Sequence, residues 1–296
     1  MTPVALGLIG LALALPVPAL LARARWPHRS PAAAIVMWQS LALAAILATS
    51  GAGLATALWL VTDDDPAPWR VAAHVLVLGI GVMVWARFWW AAWHVWRDTQ
   101  RRRRRHRELV DLLGEPHGLV PAVRILAEQT PVAYCIPRLR DSRVVLSSGA
   151  LESLDEESVA AVLEHERAHV RTRHDLVLEA FTILHRAYPR VLRTDAPLRQ
   201  SQLLVELMAD DAARRRTGGA PLARAIVTLA GSRTPSGALG AGGDALARLE
   251  RLRDADRPSW WATALAAAVS TTVLVVPTVA LAVPWMTHAL DVLAAR

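Results

Sequence analysis

Four apolar stretches, Val4–Ala22, Ala34–Leu60, Val71–Trp93 and Trp260–Met286, constrain this chain more than any other feature. A helix rises about 1.5 Å per residue, so about 20 apolar residues cross a hydrocarbon core of about 30 Å. Hydrophobic residues make up 53% of the 296. Their segregation into long runs marks a membrane protein rather than a soluble one with a large core. No basic region precedes the first stretch and no A-x-A-like cleavage site ends it. With more stretches following, it reads as a retained helix and not a signal peptide.

Loop charges give an orientation. Arg23, Arg25 and Arg29 follow the first stretch, and Asp63, Asp64 and Asp65 separate the second from the third. Arg97, Arg101 to Arg105 and Arg107 follow the third, and Arg253 and Arg257 precede the fourth. Basic loops stay in the cytoplasm, which places both termini outside and residues 97–258 inside. Tryptophans bracket the spans as interfacial belts: Trp38 and Trp59, Trp69 and Trp93, Trp261 and Trp285. The stripe Trp85, Trp89, Trp93 and Trp96 reads as helix packing. His74 and His94, each isolated in the third span, read as packed or interfacial.

The net charge of +7 comes from arginine alone, since the chain has no lysine and no asparagine. Both missing residues have AT-rich codons, so a GC-rich bacterial genome accounts for the bias. No aromatic residues interleave Arg101–Arg105, and the run abuts a span. It reads as a stop-transfer cluster, and direct nucleic-acid binding is not expected. The single cysteine, Cys135, rules out both an intrachain disulfide and a Cys-x-x-Cys zinc site.

Residues 1–96 thus hold three spans, 97–258 a cytoplasmic α+β domain, and 259–296 the fourth span with a short outer tail. Within the domain, Val123–Glu128, Val132–Ile136 and Arg143–Ser147 read as three strands, rich in β-branched residues and punctuated by Pro131, Pro137 and Asp141-Ser142. A helix follows, with Ser153 and Glu156 as its capping box. Leu176–Tyr188 is apolar but too short to span, and is expected at the membrane interface. A third helix, Gln202–Arg216, stops at Gly218-Gly219. Ser232–Gly243 reads as a mobile loop and Ala245–Arg253 as a last short helix.

The chemistry concentrates at His165-Glu166-Arg167-Ala168-His169. Residues i and i+4 share a helix face, so both imidazoles can reach one metal ion. Glu166, about 100° around the helix, can reach a water on that metal rather than the metal itself. The next helix offers Glu206-Leu207-Met208-Ala209-Asp210. Glu206 can be the third ligand, and Asp210 can accept the other ring N–H of a ligand histidine. His117, His174 and His185 lack partners at ligand spacing, and Asp211 is expected to stay solvated. Tyr134, His185 and Arg248 are the candidates to stabilise an oxyanion, on residue chemistry alone.

Here the chain resembles the BlaR/MecR-type membrane metallopeptidases and, more distantly, the HtpX type. The likeness rests on Pro131–Pro137, Arg143–Ser147, Leu146-Ser-Ser-Gly-Ala-Leu151, His165–His169, Arg173-His174-Asp175, Leu184-His185-Arg-Ala-Tyr-Pro189 and Glu206–Asp210. It implies a zincin-like catalytic domain with one Zn2+ per chain held by His165, His169 and Glu206, and Glu166 as catalytic base. Ala209 stands where the BlaR/MecR pattern usually has cysteine. The chain stops about ten residues after the fourth span, with nothing like the sensor domain's nucleophile motif, so β-lactam sensing is not expected.

The resemblance implies a zinc endopeptidase of the bacterial plasma membrane with a protein substrate. A BlaR/MecR-like enzyme would cleave a cytoplasmic transcriptional repressor in a signalling pathway. An HtpX-like one would cleave damaged membrane proteins. A non-catalytic receptor with structural zinc is the reading from another class. Structural zinc sites are closed by four protein ligands, whereas here Glu166 stands intact beside three.

Overall fold

The computed structural model describes residues 2–62, 67–117, 120–137, 142–188, 194–232, 239–253, 259–279 and 283–294. It divides into two compact units, one of residues 1–94, 180–201 and 258–296, the other of 95–179 and 202–257.

The first unit is helical. Among the described residues, four helical stretches are long and apolar enough to cross a membrane: Val4–Leu21, Pro31–Ala57, Pro68–Leu113, of which only the part up to His94 belongs to this unit, and Trp260–Pro277. The first is two helices, α1 (Thr2–Ala14) and α2 (Pro16–Leu21). The break falls at Leu15 (φ −120°, ψ −76°) before Pro16, which has no N–H to continue the ladder. α3 (Pro31–Thr62) lies against α1. Small residues allow the close approach: a Cβ on Gly10 would meet Thr49 Oγ1 at 2.9 Å, and one on Gly51 would meet Leu6 Cδ1 at 3.1 Å.

α4 (Pro68–Leu113) runs unbroken from the third apolar stretch into the second unit. The expected helix packing of its tryptophan stripe is met at Trp85, which stacks on Trp89 and reaches α3. Trp85, Trp89, Trp93 and Trp96 are all exposed, and Trp85 Nε1 donates to Ser50 Oγ at 2.7 Å. Arg87, inside the apolar stretch, donates to the carbonyls of Ala187 (2.8 Å) and Arg186 (3.3 Å), which end a later helix. His74 bonds the Arg70 carbonyl and His94 packs on Trp90, as isolated histidines were expected to do. The acidic turn Asp63–Asp65 lies outside the described residues.

The second unit is built on four strands: β1 (Glu115–His117), β2 (Val120–Leu126), β3 (Ala133–Ile136) and β4 (Arg143–Ser147), in the order β1-β2-β4-β3. β3 and β4 form an antiparallel pair, β2 and β4 a parallel one. Sequence predicted three strands. β1 escaped notice because it is three residues long, contains Pro116 and follows Gly114.

Alternation sends Ala133 of β3 to one face, where Val123, Val144, Leu146, Ala150, Leu154, Val162 and Ala225 form the core. Ile136 and Val145 pack with Val110 of α4 in a separate cluster. Ser147 ends β4 and caps α5 (Ser148–Ser153), accepting at Oγ from the N–H groups of Val132 and Ala150. Only glycine fits at 149, because a Cβ there would collide with the Gln129 carbonyl.

α6 (Glu156–Arg171) begins at Asp155, whose carboxylate accepts from Ser158 N at 2.8 Å. That corrects the capping box assigned to Ser153, which belongs to the preceding helix. α7 (His174–Ala187) follows after a two-residue turn, then α8 (Ala196–Thr217), six residues longer at its start than predicted. Gly218 at φ +87° stops α8 where expected. α9 (Gly219–Ser232) has no counterpart in the sequence reading, although its Leu222, Ala225 and Ile226 are core residues. α10 (Leu239–Arg253) starts within the segment read as a loop, of which residues 233–238 lie outside the described residues. α11 (Trp260–Pro277) and α12 (Val283–Ala294) return to the first unit.

Candidate metal centre

α6 turns its apolar face into the core, and the site residues sit at the border of that face. His165 and Glu166 are buried and His169 is half-buried. One helical turn brings His165 Nε2 and His169 Nε2 to 3.1 Å from each other. α8 completes the set: Glu206 Oε2 lies 3.4 Å from His165 Nε2, and Oε1 lies 3.4 Å from His169 Nε2.

One ligand atom from each of the three residues lies within 4.8 Å of the other two, close enough for all three to reach one metal ion. In a tetrahedral zinc site with bonds of about 2.0–2.1 Å, neighbouring donors stand about 3.3 Å apart. Two imidazole nitrogens and one carboxylate oxygen are also the right donors for that ion. The triplet His165, His169 and Glu206 is the metal-capable group found among the described residues.

Asp210, one turn beyond Glu206, lies under His165. Its Oδ1 is 2.9 Å from His165 Nδ1, a charge-pairing distance, although the pair is not aligned for a good hydrogen bond. Burial disfavours a charged His165, but Asp210 and Glu206 outweigh it and push its pKa up to about 9. Burial acts unopposed enough on His169 to bring it down to about 4. Glu206 resists its own burial through His165, Arg248 and His169, and falls to about 2. It stays an anion at any pH a cell meets. Metal binding here would displace the His165 proton.

Glu166 is held above the ordinary carboxylate range, first by burial and then by the Glu206 charge. Cys135 of β3 interacts with it, and burial together with the Glu166 charge pushes that thiol up.

Arg248 was a candidate oxyanion donor by sequence. Its Nε and Nη2 each donate to Asp210 at 2.7 Å, and Nη1 pairs with Glu206 at 3.0 Å. Tyr134 is corrected, since it packs with Ile136 and Val145 and bonds His106 at 2.9 Å. His185 belongs to the first unit and pairs with Asp195 at 3.3 Å. Asp211, expected to be solvated, pairs with Arg251 at 2.7 Å.

One neighbour escaped the sequence reading. His174 is 2% exposed, and its Nδ1 lies 3.0 Å from His169 Nδ1. Helical spacing could not reveal it, because α6 ends at Arg171 and Arg173 adopts φ 51°, which turns the chain back on itself.

Among the described residues, four helices are long and apolar enough to cross a membrane, and the α+β unit brings the two histidines of His-Glu-x-x-His together with Glu206 in a group that could hold a metal ion. Residues 97–209 match the profile of peptidase family M48. It is also similar to a protease HtpX homolog of Desulforapulum autotrophicum, 31% identical over 116 residues. That match covers 36% of this chain and 38% of the relative, well short of the relative's full length. The support therefore falls on the HtpX side of the resemblance, which sequence reading had placed second. No solved structure matches the chain at a significant level.

Proposed function

We propose that this protein is a zinc-dependent membrane endopeptidase. The observation that carries the reading is the triplet His165, His169 and Glu206 at zinc-ligand spacing, with a buried Glu166 beside it. Zinc held there would supply a Lewis acid for a peptide carbonyl and lower the pKa of a water towards about 7. Glu166 accepts the proton of the attacking water and passes it to the leaving amine. The elevated affinity of Glu166 for a proton suits that exchange. β3 is an edge strand with Cys135 facing the Glu166 side, so a substrate segment can add beside it through backbone hydrogen bonds.

The HtpX likeness favours damaged membrane proteins as substrates over a single cytoplasmic repressor. The full chain in detergent, loaded with zinc, is expected to cleave an unfolded protein such as casein. A chelator should abolish the cleavage and added zinc restore it. Cleavage that survives complete metal removal would overturn the assignment.

The arginine asymmetry supports a domain on the cytoplasmic side of a bacterial plasma membrane with both termini outside. In a Cys135→Ser background, Gly237→Cys should resist a membrane-impermeant thiol reagent in intact cells, whereas Asp64→Cys should be labelled. The reverse pattern would invert the topology and place the protease outside.

A further inference from the structure

His169 has its own neighbour on the side away from Glu206: His174 Nδ1 lies 3.0 Å from His169 Nδ1. We infer that His174 is a positioning residue, accepting a hydrogen bond at Nδ1 from His169 Nδ1 and so fixing the tautomer that frees His169 Nε2 for a metal. The inference rests on the proposed metal centre and adds to it a third histidine that the ligand motif does not contain.

The geometry leaves one consistent arrangement. His169 Nε2 faces His165 Nε2 at 3.1 Å and Glu206 Oε1 at 3.4 Å. A neutral imidazole that offers Nε2 to a metal carries its proton on Nδ1. That proton points at His174 Nδ1, 3.0 Å away, which must then present a lone pair. The ring planes stand 84° apart with centroids 4.8 Å from each other. An in-plane N–H aimed at a neighbour's edge nitrogen fits that better than stacking does.

The remaining nitrogen argues against a packing role. With Nδ1 accepting, His174 carries its proton on Nε2, which is buried with no hydrogen-bond partner among the described residues. An unpaired buried donor is destabilising, and a leucine could fill the space without one. Retaining an imidazole there makes sense through the other nitrogen.

The backbone delivers the ring to its place. Arg173 takes up φ 51°, in the left-handed region that non-glycine residues rarely occupy. Its guanidinium donates to both carboxylate oxygens of Asp175, at 3.2 and 3.3 Å. Arg103 of α4 pairs with the same carboxylate at 3.2 Å. The turn is thereby held on both sides of His174, and the ring enters the site as the first residue of α7.

Two substitutions separate an acceptor from a space-filler. Asparagine can place an acceptor oxygen near the position of Nδ1, whereas leucine cannot accept at all. The full chain in detergent would be titrated with zinc against a chromophoric chelator, and loaded with cobalt(II) for its visible spectrum. His174→Leu should weaken zinc binding about 10- to 100-fold and shift the cobalt bands, while His174→Asn stays within about threefold of the parent. The leucine variant should melt no lower than the parent, since it removes an unpaired donor. Parent affinity and spectrum in His174→Leu would overturn the inference. So would an asparagine variant as weak as the leucine one, which would mean that the ring's shape matters and not its lone pair. If the parent itself binds no zinc, the metal centre fails first, and that result is distinct from either.

Discussion

Glu166→Gln is expected to leave zinc bound while lowering peptide hydrolysis by about 10^2- to 10^4-fold, the range typical of a lost general acid–base group. The amide has nearly the same shape as the carboxylate but cannot take a proton from water. Because residue 166 is about 100° around α6 from His165, the ligand face is untouched and metal content should not fall. Glutamine also relieves a local conflict, since burial and the Glu206 charge both work against an ionised Glu166. The variant should therefore be at least as stable as the parent. Zinc content, melting temperature and cleavage rate would be measured on the same preparation. Undiminished cleavage would remove Glu166 from the mechanism. A parallel loss of zinc would instead make it part of the metal's support.

What could be read from the chain beforehand follows from the range of the forces involved. Hydropathy and helical period are local, so the four apolar stretches and the pairing of His165 with His169 are visible without coordinates. Gly218 announces the end of α8 for the same reason, since the residue itself supplies the unusual backbone angle. Competing local signals led the capping box astray. Ser153 and Asp155 are both good caps two residues apart, and the choice falls to Asp155 because Ser153 ends α5, with its Oγ bonded to the Gly149 carbonyl. α9 is hidden from a local reading because its apolar residues follow directly on Gly218-Gly219, whose stop signal masks the restart beyond it.

The residues around the metal ligands divide in the same way. Asp210 lies four residues after Glu206 and inherits its face. His174 depends on Arg173 adopting a left-handed angle that no sequence rule assigns to arginine. Arg248 approaches from α10, 38 residues after Asp210, and only tertiary packing brings them together. Residue chemistry alone marks Arg248 as an oxyanion candidate, and its contacts with Asp210 and Glu206 add a second role.

Those contacts set the second large expected effect. Arg248→Met should destabilise the domain by roughly 3–5 kcal/mol, the usual consequence of removing one partner from a buried ion pair. Asp210 is 1% exposed and would keep its charge with two hydrogen bonds of 2.7 Å gone. Only the poorly aligned His165 would remain beside it. For a domain of this size that corresponds to a fall of about 10 °C in melting temperature. Arg248→Lys should recover part of the loss, since an ammonium keeps the charge but cannot form the planar fork to Asp210 and also reach Glu206. Adding Asp210→Asn to Arg248→Met should recover more, because the stranded charge is then gone, and the two changes would be strongly non-additive. An oxyanion-stabilising arginine predicts something else: an unchanged melting temperature and a loss confined to the cleavage rate. Melting curves of the parent, the two single variants at 248 and the double variant, all loaded with zinc, decide between the two roles. A melting temperature for Arg248→Met within about 2 °C of the parent would reject the clamp, since it would correspond to less than about 1 kcal/mol.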